Sequence, residues 1–190
     1  MSQLQIILRQ GVVSVALNQQ FVSLSEFKPS PKKIVNILPV LRKEWELSFD
    51  VIIYGKSNQN KNGIFTMANK PSGLSKVLNI FVTMGKQLIQ IYTKDMIYSF
   101  KFNCNEWINI KLTQRISLNE CERIVFINSQ KVKKTVIAKP KVFENLICFA
   151  GSPDHLALNG LVRNFTFKQD DLPKRKISLL ILKHLENFLQ

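Results

Sequence analysis

Apolar and polar residues alternate with a period of two through most of this chain, and each run is closed by Gly, Pro, Asn, Asp or Ser. Such runs predict half-buried β-strands, because successive side chains of an extended backbone point to opposite faces. They cover 11–17, 33–38, 44–53, 63–68, 78–84, 87–93, 96–102, 106–115, 123–130, 132–138, 146–151 and 160–168. In EWELSFDV, Trp45, Leu47 and Phe49 fall on one face and Glu44, Glu46 and Ser48 on the other. Trp107, Ile108 and Ile110 nearly repeat this in EWINIKLTQR. Many short strands with little helix predict an all-β, two-sheet antiparallel sandwich or jelly roll. The polar stretches KSNQNKNG (56–63) and NKPSGLSK (69–76) read as loops, too short to separate domains.

Alternation stops after Pro173. In KRKISLLILKHLENFLQ, Ile177, Ile181, Leu185 and Phe188 share a helical face, widened by Leu182 and Leu189, while Lys183, Glu186 and Gln190 face away. Asp170 and Asp171 precede Pro173, as at a helix start. The expected organisation is a sandwich over 1–170 and a C-terminal amphipathic helix over 171–190. That helix would pack on the sandwich, or serve a partner, an oligomer contact or a membrane surface.

A length of 190 residues suits one domain with a full core, and 45% apolar with 21% charged residues excludes wholesale disorder. Charge changes the picture. Lys and Arg number 27 against 13 acids, a net charge of +14. Such a chain attracts polyanions, whether nucleic acid, anionic glycan or acidic lipid. No apolar run reaches the ~20 residues of a transmembrane helix. In MSQLQIILRQGVVSVALNQQ, Arg9 interrupts the apolar stretches and no basic segment precedes them, a poor signal peptide. Cys104, Cys121 and Cys148 lack CxxC spacing, and His155 and His184 add no ligand pattern, so no metal or cofactor is expected. One disulfide with a free thiol and three reduced thiols both fit.

Several phrases carry a resemblance. They are Trp45 and Phe49 in one strand, then Asn105, Trp107 and Ile110, then the stretch Phe126 to Val132. Ala150 to Pro153 follow, and Gly160 to Phe165 close the series. In this order, over roughly residues 20–168, the chain resembles the concanavalin A-like lectin/glucanase superfamily, and more narrowly its laminin-G-like jelly-roll modules. The resemblance implies an extracellular recognition module, against which the poor signal peptide stands. It also implies that Asp154-His155, in FAGSPDHLALNG, lies in a loop capping the sandwich between the last two strands. A hydrolytic dyad would need a positioned nucleophile or a second carboxylate nearby, and none is indicated.

Glycosidases occur on this fold and need two carboxylates about 5–10 Å apart. Glu44 and Glu46 are the nearest candidates, but Ser48 ends the acidic row and the resemblance turns that face outward. A calcium site needs about six oxygen ligands, several of them carboxylates. Residues 56–76, where related modules carry an acidic loop, hold no Asp or Glu. Asn164-Phe165-Thr166 is a glycosylation sequon, read as a structural Asn because it falls inside a core strand.

Basic residues do cluster. Between Glu122 and Glu144 there is no acid, while Lys131, Lys133, Lys134, Lys139 and Lys141 fall within eleven residues. Alternation would put Lys131 and Lys133 on one face, with Lys139 and Lys141 beside them on a return strand. Edge lysines commonly block sheet-to-sheet pairing. The functional alternative is a polyanion site, which the resemblance supports because laminin-G-like modules bind sulfated glycans through basic patches. Nucleic acid is disfavoured, since the aromatic residues that can be placed alternate onto the core side rather than out among the lysines. The sequence points to a non-enzymatic module for an anionic glycan or a protein partner. The alternative is a structural subunit docking through its basic surface and terminal helix.

Overall fold

The computed structural model describes residues 5–9, 12–16, 20–55, 61–70, 75–117, 120–138 and 140–169. The strands run β1 (Gln5–Arg9), β2 (Val12–Ala16), β3 (Gln20–Phe27), β4 (Ile34–Leu41), β5 (Trp45–Ile53), β6 (Lys61–Ala68), β7 (Lys76–Thr83) and β8 (Leu88–Thr93). There follow β9 (Met96–Lys101), β10 (Ile108–Ser117), β11 (Glu120–Ile127), β12 (Gln130–Ile137), β13 (Phe143–Phe149), β14 (Leu156–Ala157) and β15 (Gly160–Gln169). Among the described residues the one helical element is a 3-10 turn at Met84–Lys86. The expected helix over 171–190 lies outside the described residues.

Two sheets make a sandwich. One has the order β12-β11-β10-β5-β15-β3, the other β4-β13-β6-β7-β8-β9 with the short β14 on β6; β1 and β2 form a separate hairpin. Every pairing is antiparallel except that of β14 with β6. The all-β sandwich read from the alternation is the fold.

Strand β5 shows why. Trp45, Leu47, Phe49, Val51 and Ile53 are buried, and Glu46, Ser48 and Asp50 between them are half-exposed on the outer face. The inward residues of both sheets meet around Phe165. It stacks on Phe49 (6.1 Å between centroids), meets Phe65 at 4.9 Å, and meets Phe27 edge-on at 5.9 Å. Each such aromatic pair adds about 0.5–1.5 kcal/mol beyond its buried area.

Strand β6 departs from alternation: every residue from Asn62 to Ala68 is buried. The segment after β13 lies across its outer face. There Thr66 Oγ1 donates to the Gly151 carbonyl (3.0 Å), and beside the strand, where β14 pairs with it, the Asn62 amide donates to the Ala157 carbonyl (2.7 Å). Gly63 permits this approach, since a Cβ there would stand 2.4 Å from the Ser152 nitrogen.

Candidate anion-binding site

Strand β12 is the edge of the six-stranded sheet, and Lys131, Val132, Lys133 and Lys134 are all exposed on it. The register pairs Lys131 with Phe126, Lys133 with Val125 and Lys134 with Ile124, with the shift falling between Val125 and Phe126. A residue inserted at Val132 therefore breaks the period of two. Lys133 is aligned with core-facing Val125, whereas Lys131 and Lys134 are aligned with outer-face residues. The expectation that Lys131 and Lys133 share a face is corrected accordingly. Lys134 is neutralised by Glu122, its Nζ 2.5 Å from Oε1. Lys131 and Lys133 have no ion-pair partner among the described residues.

Nor do the lysines pair across a hairpin. The return strand of β12 is β11; after Ile137 the chain crosses to the other sheet, where β13 pairs with β4 and β6. Lys141 lies in that crossing, and Lys139 lies outside the described residues. The crossing carries Lys141 to the end of the sandwich where the two sheets part.

The inner face of the six-stranded sheet closes at that end with a row spanning five strands. Gln169 stands opposite Trp45, Trp45 opposite Gln114, Gln114 opposite Arg123, and Arg123 opposite Thr135. Gln169, Gln114 and Arg123 are buried polar residues where alternation alone calls for apolar ones. Each reaches toward a partner. Gln169 Nε2 donates to the Val40 carbonyl on the facing sheet (2.8 Å), and Gln114 Nε2 donates to the Lys43 carbonyl (2.8 Å). Arg123 Nη1 donates to Thr93 Oγ1 on the facing sheet, while Nε and Nη2 both donate to Gln114 Oε1 (3.2 and 2.6 Å).

Arg123 is only 7% exposed, and its guanidinium lies 5.8 Å from the Trp45 ring centre. No carboxylate lies within ion-pair distance of it among the described residues. Burial lowers its pKa from the ordinary value, and the charge of Asp95 partly offsets that. Three of its five N–H donors are used, all on neutral oxygens.

A cavity of about 50 Å³ opens beside it. Leu41, Trp45, Met67 and Leu78 form its apolar part, and Arg123, Lys94, Lys141 and Asp95 its charged part. Lys94 and Asp95 come from the β8–β9 hairpin, so both sheets contribute charge. Of the sequence candidates, the structure brings Lys141 to this cavity. Arg123, Gln114, Thr93 and Lys94 were not singled out. The available signal was a polar residue at an inward position of each alternating run, Gln114 in one and Arg123 in the other.

The other candidates have structural partners. Glu46 is on the outer face, 3.0 Å from Lys111 Nζ and 3.7 Å from Arg115 Nη2. Glu44 Oε1 accepts the Ile116 N–H at 3.0 Å. Asp154 is held by Lys76 Nζ (2.5 Å) and by the Ser152 hydroxyl (2.5 Å), with His155 Nδ1 at 3.4 Å from the same carboxylate. The carboxylate thus stands between serine and imidazole, so the serine hydroxyl donates to Asp154 and not to His155, unlike the serine–histidine contact of a hydrolytic triad. The segment caps the outer face of β6 and β7, and the His155 ring packs edge-on against Phe81 (5.0 Å). Asn164 sits at a bulge in β15 with φ 53°, and its amide donates to Asp50 Oδ2 (2.8 Å). Among the described residues, no three His, Cys, Asp or Glu side chains gather as a metal site.

No protein-family model matches the chain, and no curated protein matches it significantly. Solved structures do share the fold. The chain is similar to the botulinum neurotoxin type G receptor binding domain at a TM-score of 0.53 and 14% identity, covering 90% of this chain and 48% of that one. It is similar to Trypanosoma rangeli sialidase (TM-score 0.53, 13% identity, covering 80% of this chain and 26% of that one). The same enzyme in complex with sialic acid matches at 0.53 and 12% identity over 95% of this chain and 32% of that one. The chain thus spans less than half the length of each of these. At these identities the likeness establishes a shared β-sandwich.

Proposed function

We propose that this chain is a non-enzymatic recognition module of laminin-G-like type that binds an anionic glycan along β12. The observation that carries this reading is the unpaired state of Lys131 and Lys133 on an exposed edge strand that runs toward Lys141 and Arg123. At ~0.15 M salt the Debye length is about 8 Å, so lysines along one strand act on the same polyanion. Lysine suits a linear sulfated chain because its ammonium is a mobile point charge that imposes no fixed geometry. The shared fold adds support: its solved examples include a receptor binding domain and a sialidase in complex with sialic acid.

Retention on heparin tests the reading. Reversing Lys131 and Lys133 together to Glu should lower the eluting salt concentration far more than reversing the exposed Lys70 and Lys101. Equal losses from the two double variants would reduce the effect to net charge. No retention of the wild-type chain at ~0.15 M salt would leave β12 with edge protection alone.

A second reading, docking of this edge onto a protein partner in a larger assembly, is favoured by Val132 and Val136, 38% and 51% exposed on the same strand. It is supported if Val136→Lys abolishes a stable complex while heparin retention stays as it was.

A further inference from the structure

No ion pair among the described residues includes Arg123, and its environment is unusual for a buried cation. A guanidinium removed from water ordinarily needs a carboxylate beside it. Here the immediate acceptors are an amide and a hydroxyl, and the nearest acid to line the cavity, Asp95, is outnumbered by Lys94 and Lys141. The cavity therefore has a net charge of +2 from its described lining, with a fixed fork of donors at its inner wall.

We propose that this cavity, between Trp45, Arg123, Lys94 and Lys141, is a subsite for the single carboxylate or sulfate group of a sugar acid. This deepens the glycan reading above and rests on it. Arg123 is the anchor: Gln114 and Thr93 fix its plane, and two N–H donors remain for an oxyanion. Lys94, from the β8–β9 hairpin, and Lys141, from the crossing between β12 and β13, close over the anion. A volume of about 50 Å³ holds one such group, whereas a whole sugar ring is too large and stays outside. The apolar floor of Leu41, Trp45 and Leu78 excludes water from the contact, which strengthens it. Strand β12 leads to this end of the sandwich, since its last residue, Ile137, is paired with Cys121, two residues before Arg123. A polyanion lying along β12 can thus place one acid group in the cavity.

Asp95 is the internal competitor, and its presence makes the proposal discriminating. If Arg123 serves only to tie the sheets together through Thr93, neither Asp95 nor the two lysines should govern anion affinity. If the cavity is a subsite, Asp95 repels the ligand and the lysines attract it.

Calorimetric titration of the full chain at ~0.15 M salt tests this, with glucuronic acid, N-acetylneuraminic acid, glucose 6-sulfate, glucose and inorganic sulfate as probes. The sugar acids should bind and glucose should not. Lys94→Gln combined with Lys141→Gln should weaken binding on the order of tenfold, and Asp95→Asn should tighten it severalfold. Arg123→Gln should abolish it, and the lysine and aspartate variants keep the test decisive should that chain fail to fold. A wild-type chain that binds none of the sugar acids overturns the proposal, as do lysine and Asp95 variants with unchanged affinity. Inorganic sulfate binding as tightly as the sugar acids overturns the glycan assignment of the cavity. Heparin retention measured on the same variants separates the two readings. Retention that depends on Lys131 and Lys133, without any sugar-acid binding, sinks the subsite and spares the edge; sugar-acid binding without retention does the reverse.

Discussion

Gln114 stands opposite Arg123 across β10 and β11, and its single amide oxygen accepts from both Nε and Nη2 of the guanidinium at 3.2 and 2.6 Å. A neutral acceptor thus occupies the place where a carboxylate would make a closed ion pair. Gln114→Glu supplies that carboxylate without changing shape. The exchange also removes the Nε2 donor to the Lys43 carbonyl, and the expected outcome is a folded chain that no longer binds sugar acids. Gln114→Ala instead leaves buried donors unmatched and should cost about 1–3 kcal/mol in urea unfolding.

Asp154 governs acid stability of the segment over β6 and β7. Its burial alone would raise its pKa, but hydrogen bonds from Lys76 and Ser152 and the charges of His155 and Lys76 outweigh that, lowering it from 3.8 to about 2. The folded pKa lies below the unfolded one, so the stabilisation is complete above pH ~4 and is lost as pH falls toward 2. Half of the side chain is in water, so the effect is screened. Unfolding followed from pH 5 to pH 2 should show a decline that Asp154→Asn flattens. An equal decline in both chains would remove this carboxylate as its source.

The strand pattern was legible because one rule, alternation onto a single core, governs most of the molecule. Strand β5 follows it from Trp45 to Val51 and β10 from Ile108 to Leu112. It failed where a second layer was added or a residue inserted. Strand β6 is buried on both faces because Gly151 and Ser152 pack over Thr66 and Gly63, a long-range contact that local periodicity cannot contain. On β12, the extra residue at Val132 turned Lys131 and Lys133 to different partners. The polar row was hidden for the opposite reason. Gln114 and Arg123 occupy inward positions of regular strands, and only the register brings them together. Lys141 was singled out for its neighbours in sequence, yet its neighbours in space are Lys94 and Arg123 from other strands.

Thiol reactivity should divide the three cysteines, all free in this structure. Burial pushes Cys148 up to about 12 and also raises Cys121. A thiol at such a pKa is almost wholly protonated near neutrality and is a poor nucleophile. Alkylation of the folded chain at pH 8 should therefore modify Cys104, which is half-buried, and spare the other two until denaturant is added. Rapid labelling of Cys148 in the native chain would mean that β13 opens locally.

The last prediction concerns the carboxylates a hydrolase of this fold would need. Turnover requires one acid to stay protonated and another to face the same sugar across about 5–10 Å. Glu46 instead pairs with two cations on the outer face, Lys111 at 3.0 Å and Arg115 at 3.7 Å. Glu44 accepts a backbone N–H from Ile116 and thereby ties β5's entry to the end of β10. These are outer-face and strand-end contacts, away from the cavity at Arg123, whose own acid is the lone Asp95. One carboxylate among three cations has no partner with which to share acid and base roles. β-Glucan oligosaccharides, whose hydrolysis takes the two-carboxylate route, should therefore survive long incubation with the chain. Glu46→Gln should alter stability by only about 0.2–1 kcal/mol, the range for exposed ion pairs. β-Glucan hydrolysis that vanishes in Glu44→Gln, Glu46→Gln or Asp95→Asn would replace the recognition reading with an enzymatic one.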